Sequence, residues 1–226
     1  AELMTKMTDA ETARAFLNDW SFWAHGAQRP PDGDWRCWLF MGGRGAGKTR
    51  AGAEWVRAQV MHSGRRRVAL VGPTLQDVRE VMIEGPSGLK AVCAQDGMPV
   101  YSPTRRRLEW PNGAEGFVFS AEDPDSLRGP QFDAAWCDEL GAWARAEAAW
   151  DMLMFGLRLG DNPQVAATTT PRPTSLIRRL AGAQTTCLTQ ASTRENAANL
   201  AAGFLEAVEA EYGGSMLGRQ EIDGEL

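Results

Sequence analysis

Three lysines, two histidines and four cysteines are all that this 226-residue chain has of those types. The histidines, His25 and His62, and the cysteines, Cys37, Cys93, Cys137 and Cys187, are scattered, so no zinc-type spacing exists. Three of the cysteines fall in apolar runs and read as buried, reduced thiols. No apolar run is long enough to span a membrane. Internal repeats and low-complexity segments are missing too. The N-terminus is polar and acidic, with no signal-peptide pattern, so the expected location is the cytoplasm. Positive charge is in deficit, with a net charge of −5. A negative sum weighs against nucleic-acid binding without excluding it, because local patches matter more.

What is present is an ordinary globular composition, 43% hydrophobic and 23% charged. The length suits one domain or a domain with a small appendage. Apolar positions Ala13, Phe16, Leu17, Trp20 and Trp23 sit at helical spacing over residues 8–25, with Asp9 and Thr12 as caps. An apolar run, 35–41, then leads into a glycine-rich loop, and 48–62 reads as a helix. A second buried strand ends at Gly72-Pro73. Residues 75–94 read as a helix interrupted near Gly85-Pro86. Two strand-like runs, 105–110 and 115–120, flank Pro111-Asn112-Gly113, a hairpin signal. Further strands are expected at 132–137, 164–169 and 185–188. Helices are expected at 142–157 and 199–212, with Trp143 and Trp150 on one face of the first, followed by a polar tail, 213–226. Strands alternating with helices argue an α/β fold with a mainly parallel central sheet flanked by helices.

Gly42-Gly43-Arg44-Gly45-Ala46-Gly47-Lys48-Thr49 fits the phosphate-loop pattern. Glycines let backbone amides turn around phosphate oxygens. Lys48 would reach the β- and γ-phosphates, and the Thr49 hydroxyl would bind Mg²⁺. The following helix points its positive end at the anion. Asp138-Glu139 follows the apolar run 134–137, at the ligand-binding edge of such a sheet. Asp138 would hold Mg²⁺ through water, as the second acidic motif of these proteins does. Glu139 would polarise the attacking water. The ordinary reading of the pair is an acidic first turn of a helix. Together the two motifs favour ATP as cofactor with Mg²⁺. The strand 68–71 between them in sequence and the adjacent glutamate point to the RecA-like class of P-loop NTPases with a catalytic glutamate (ASCE), which includes helicases and translocases.

Residues 42–55 resemble the phosphate loop of phage and gene-transfer-agent large terminases. Val71-Gly72-Pro73-Thr74, the run 126–133 leading into Trp136-Cys137-Asp138-Glu139-Leu140, the run 168–173 and the segment 192–200 are similar to the same family. The resemblance implies an ATP-driven motor domain that moves double-stranded DNA into a procapsid. It also implies portal and small-terminase partners and a homo-oligomeric ring when active. It implies coupling by Thr168, Thr169 and Thr170, γ-phosphate sensing by Arg44 in cis, and an arginine finger at Arg128 acting on a neighbour. The ordinary alternative for Arg128 is a salt bridge to Asp123 or Asp125. Gln28 is the candidate adenine reader, although its surroundings depart from the family pattern. Residues 1–190 would form the ATPase core and 191–226 a small helical lid or linker toward a nuclease domain absent from this sequence. Nuclease activity is not expected from these residues.

Two basic runs remain, Arg65-Arg66-Arg67 and Arg105-Arg106-Arg107. Either can be a solvated face. Arg105, Arg106 and Arg107 are the candidate contact to DNA phosphates, because a motor must grip any sequence. Arg65–Arg67 precede a core strand and are expected to cover a sheet end. Trp110 and Phe117 read as core. Two other functions stay open: a helicase-like or other nucleic-acid translocase, and a non-motor P-loop NTPase.

Overall fold

The computed structural model describes residue 16 and residues 19–226. Of the expected first helix, Trp20–Trp23 is present as α1, with Asp19 accepting from the Ser21 amide at its N-terminus. Asp9, Thr12, Ala13 and Leu17 lie outside the described residues.

The strands are β1 (Cys37–Gly42), β2 (Arg67–Gly72), β3 (Val100–Ser102), β4 (Arg107–Glu109), β5 (Glu115–Ser120), β6 (Ala134–Cys137), β7 (Gln164–Thr169) and β8 (Thr186–Ala191). They form one sheet in the order β3-β4-β5-β2-β6-β7-β1-β8. The antiparallel pairings are β3 with β4 and β4 with β5. The 111–113 turn joins β4 to β5 as an antiparallel pair, as the Asn-Gly signal predicts. The strand between β1 and β6 in space is β7, and β2 lies beyond β6. Sequence order alone points to β2 for that intermediate place.

Parallel strands buried on both faces need continuous apolar runs, and β1 supplies one with all six residues buried. Alternation then divides them. Trp38 and Phe40 face one layer with Val68, Leu70 and Trp136. Leu39 and Met41 face the other with Val71, Ala135 and Ala167. On the first layer lies α2 (Lys48–Met61), and α3 (Leu75–Asp77) runs on as a π-helical turn, Val78–Ile83, before α4 (Leu89–Val92). α2 can sit close because residue 52 is glycine: a Cβ there would fall 2.2 Å from the Trp136 indole nitrogen. The second layer holds α5 (Ala146–Gly156) and α6 (Ser175–Ala181).

Several boundaries differ from expectation. α5 starts at Ala146, so Trp143 precedes it; Trp143 and Trp150 still share the second core layer. The last long helix, α7, spans Phe204–Tyr212, and Thr193–Asn199 is a 3-10 segment instead. The polar tail is helical, with α8 (Met216–Gly218) continuing as a π turn, Arg219–Asp223. It folds back on the glycine-rich loop, where the Arg44 amide donates to the Glu221 carbonyl at 2.6 Å. Cys37, Cys93 and Cys137 are buried free thiols and Cys187 is half-buried. Burial pushes the Cys37 thiol up to about 12.

Candidate nucleotide and metal site

Strand order sets the site. β1, β7 and β6 end side by side, so the loop after β1, the threonines at the end of β7 and the acids after β6 share one sheet edge. A cleft of about 1130 Å³ opens there, lined by Lys48, Thr49, Asp138, Glu139 and Thr170 among others.

Gly47 takes φ +82, a left-handed conformation that favours glycine, and starts α2. The amides of Lys48 and Thr49 open the helix and so have no intrahelical partner. The earlier half of the loop is fastened to the protein: Gly43 N donates to Ala191 O at 3.1 Å, as Arg44 N does to Glu221 O. Lys48 is 9% exposed and donates to the Gly42 and Gly43 carbonyls, each at 2.9 Å. Burial lowers its pKa, while Glu139, Asp138 and Glu221 pull the other way.

Asp138 is the deeper acid, at 7% exposure. Burial pushes its carboxyl up to about 6, against a 2.5 Å hydrogen bond donated by the Thr168 hydroxyl and the charge of Lys48. Trp143 Nε1 donates to the Asp138 carbonyl and holds the backbone there. Glu139 has φ +49, a conformation uncommon for a side-chain-bearing residue. Such strain persists only where the surroundings impose it. Here the Thr170 amide donates to Glu139 Oε1 at 3.1 Å, and Thr169 Oγ1 accepts from the Gly141 amide at 2.9 Å. The three threonines therefore hold both acids and the backbone that follows them. No group of three or more His, Cys, Asp or Glu that could hold a metal ion occurs among the described residues. One carboxylate and one hydroxyl suit Mg²⁺, which keeps waters and takes phosphate oxygens for its other positions.

The terminase large subunit N-terminal family of T4-like-virus type matches residues 39–226. The chain belongs to this family. Its mainly parallel sheet and glycine-rich loop give it the fold of large-terminase ATPase domains. Among solved structures, the large terminase ATPase domain of Thermus phage P74-26 is 16% identical over 85% of this chain and 89% of its own, with a TM-score of 0.62. The large terminase of another thermophilic bacteriophage, in complex with ADP, is 16% identical with a TM-score of 0.69. That match covers 93% of this chain but 52% of the other, so this terminase chain spans about half the length of that one. The N-terminal domain of the bacteriophage phi29 packaging ATPase is 13% identical over 70% of this chain and 90% of its own, at a TM-score of 0.51. No curated protein matches. The matches lend no support to the helicase or non-motor alternatives.

Other expected site residues of the terminase domain fall in different places. Arg44 lines the cleft and pairs with Glu221 at 3.4 Å, its side chain 77% exposed. Arg128 lies beyond β5 and pairs with Asp125 at 2.9 Å, both exposed. Gln28 is buried at 4% exposure and directs its amide at the Ala46 carbonyl, 3.1 Å away. Arg105 pairs with Glu109, and Arg107 with Glu115 while covering the Phe117 ring. Arg106, at φ +51, has no ion-pair partner among the described residues. Arg65, Arg66 and Arg67 donate to the carbonyls of Asn162, Asn112 and Gln131, so they cover a sheet end as expected. Trp110 and Phe117 are core. Sequence reasoning missed the cleft-lining role of Asn196, Leu200 and Glu221. The resemblance of 192–200 was the one signal available for the first two.

Proposed function

We propose that the domain hydrolyses ATP with Mg²⁺ and uses the hydrolysis to drive double-stranded DNA. The carrying observation is that β7 ends on both acids at once, through Thr168 to Asp138 and Thr170 to Glu139. Lys48 places a buried charge against the β- and γ-phosphates. Asp138 and Thr49 hold the metal, which when bound neutralises phosphate charge. Glu139, fixed by the Thr170 amide, takes a proton from the attacking water. A change in either carboxylate then reaches Thr168 and Thr170, and so β7, which lies against β1. This is the coupling route.

Arg44, itself exposed, senses the γ-phosphate in cis by exchanging its half-buried Glu221 partner. Arg128 acts on a neighbouring copy in a homo-oligomeric ring. Arg128 sits in the loop between β5 and β6 and is not among the residues lining its own cleft, which leaves it for a neighbour's. Surface pairs such as Arg128–Asp125 are worth little and exchange readily. The DNA contact falls on the turn carrying Arg105, Arg106 and Arg107, with Arg106 the immediately available guanidinium. Residues 191–226 serve as a lid over the loop. Portal protein and small terminase are the proposed partners, in the host cytoplasm; no described helix is long and apolar enough to cross a membrane.

The test is ATP turnover with and without Mg²⁺ and double-stranded DNA. Lys48→Ala is expected to lower turnover on the order of a thousand-fold, from loss of charge stabilisation in a buried site. Turnover within a few-fold of the parent, or turnover indifferent to Mg²⁺, would overturn the reading.

A further inference from the structure

A loop that turns amides toward an anion must turn its carbonyls the other way, and buried carbonyls need donors. Three consecutive carbonyls of the phosphate loop find theirs on side chains far from the motif. Arg44 O accepts from Thr193 Oγ1 at 2.8 Å. Gly45 O accepts from Asn196 Nδ2 at 2.6 Å. Ala46 O accepts from Gln28 Nε2 at 3.1 Å, with His25 Nε2 a further 3.2 Å contact.

We infer that Gln28, Thr193 and Asn196 form a brace on the carbonyls of the phosphate loop and act as positioning residues that set the loop's anion-binding shape. The inference rests on the ATP-site reading above and assigns roles within it. Space supports it as well as hydrogen bonding. A Cβ at residue 43 would fall 2.5 Å from Thr193 Oγ1, and one at residue 47 would fall 2.1 Å from Gln28 Nε2. The loop glycines are therefore needed to let the brace approach. Gln28 and Thr193 are 4% and 2% exposed, so neither donor has water as a ready substitute. Behind Thr193 and Asn196, Arg194 joins the segment to Glu209 and Asp223 at 2.5 Å each, which ties α7 and the tail to the same brace.

This assigns Gln28 a different task from reading adenine. Its amide nitrogen is on Ala46 O, and its oxygen accepts from the His25 amide at 3.2 Å. Both polar ends of the carboxamide are engaged within the protein. Its effect on nucleotide binding then passes through the loop carbonyl it holds, and so through phosphate.

The experiment measures affinity for Mg-tripolyphosphate and Mg-ADP by titration calorimetry, and kcat and KM for ATP and GTP. The proteins are the parent, Gln28→Met, Thr193→Val and Asn196→Leu, uncharged changes of similar size that remove a donor. Circular dichroism confirms that each is folded. Each variant is expected to lose on the order of fivefold in affinity for tripolyphosphate and ADP alike, the worth of one hydrogen bond. The ATP to GTP preference should stay at the parent value, and Asn196→Gln should recover part of the loss. A Gln28→Met protein that loses ADP or ATP but binds tripolyphosphate normally would make Gln28 a base reader. Variants with lower melting temperatures and unchanged tripolyphosphate affinity would make the brace merely structural. Lys48→Ala serves as the control on the site itself: if it binds tripolyphosphate like the parent, the phosphate-loop reading fails independently of the brace.

Discussion

The acidic sheet edge and the basic turn before β4 are both built from charged residues, but they treat charge in opposite ways. At the sheet edge Asp138 is buried, its carboxyl pushed up to about 6, and each neighbouring threonine is committed to an acid or to the backbone beside it. At the turn, Arg105 and Glu109 are exposed partners in water, where an ion pair contributes little. Burial makes a charge costly, specific and responsive to a bound cation. Exposure makes it cheap, exchangeable and indifferent to sequence, which is what a grip on phosphate backbone needs.

The largest effect that would sharpen this contrast concerns Arg128, an exposed charge proposed to work at a buried site in another copy. Arg128→Ala is expected to lower turnover on the order of a thousand-fold, as for arginines supplied in trans. Mixing Arg128→Ala with Lys48→Ala subunits should restore part of the hydrolysis. No recovery at any ratio, with assembly confirmed, would place Arg128 in cis or in a structural role.

Next comes stability. The Asp138 carboxyl ionises near 3.8 unfolded and near 6 in the fold, so the folded chain holds more protons between those values. Stability therefore falls as pH rises from about 4 to about 6, and the loss persists above. Asp138→Asn should stabilise the metal-free protein on the order of 2 kcal/mol at pH 7.5, with the gain fading toward pH 4. Thermal melts across that range check it. A destabilised variant at pH 7.5 would mean that the charge-dependent attraction of Lys48 and the Thr168 hydroxyl outweighs desolvation.

The smallest effect belongs to the turn. Arg106→Glu should weaken DNA binding several-fold, equally for all sequences, and reduce the salt slope by about one. An unchanged slope would leave the turn as a solvated face.

Sequence showed the parts of the site that are local. A glycine-spaced loop before a helix, two acids after a buried strand and Asn-Gly between two runs each need only neighbours along the chain. The sheet order was not legible, because β7 enters between β1 and β6 only after both have been placed. The brace was hidden for the same reason: Asn196 meets Gly45 across 151 residues, and the resemblance of 192–200 does not say what it touches. Nor could the sequence show the tail returning to Arg44, since residues 213–226 read simply as polar. The pairing of Arg107 with Glu115 depended on the hairpin register.

The central claim is that the two adjacent acids divide the work, with Asp138 holding metal and Glu139 activating water. Glu139→Gln separates them, because the amide keeps the size of the side chain and can still accept from Thr170 through its oxygen. ATP binding, measured by equilibrium titration with Mg²⁺, should stay within about twofold of the parent, while single-turnover hydrolysis falls by about 10²–10⁴ for loss of a general base. A collapse of ATP affinity in this variant, or hydrolysis at the parental rate, would contradict the division.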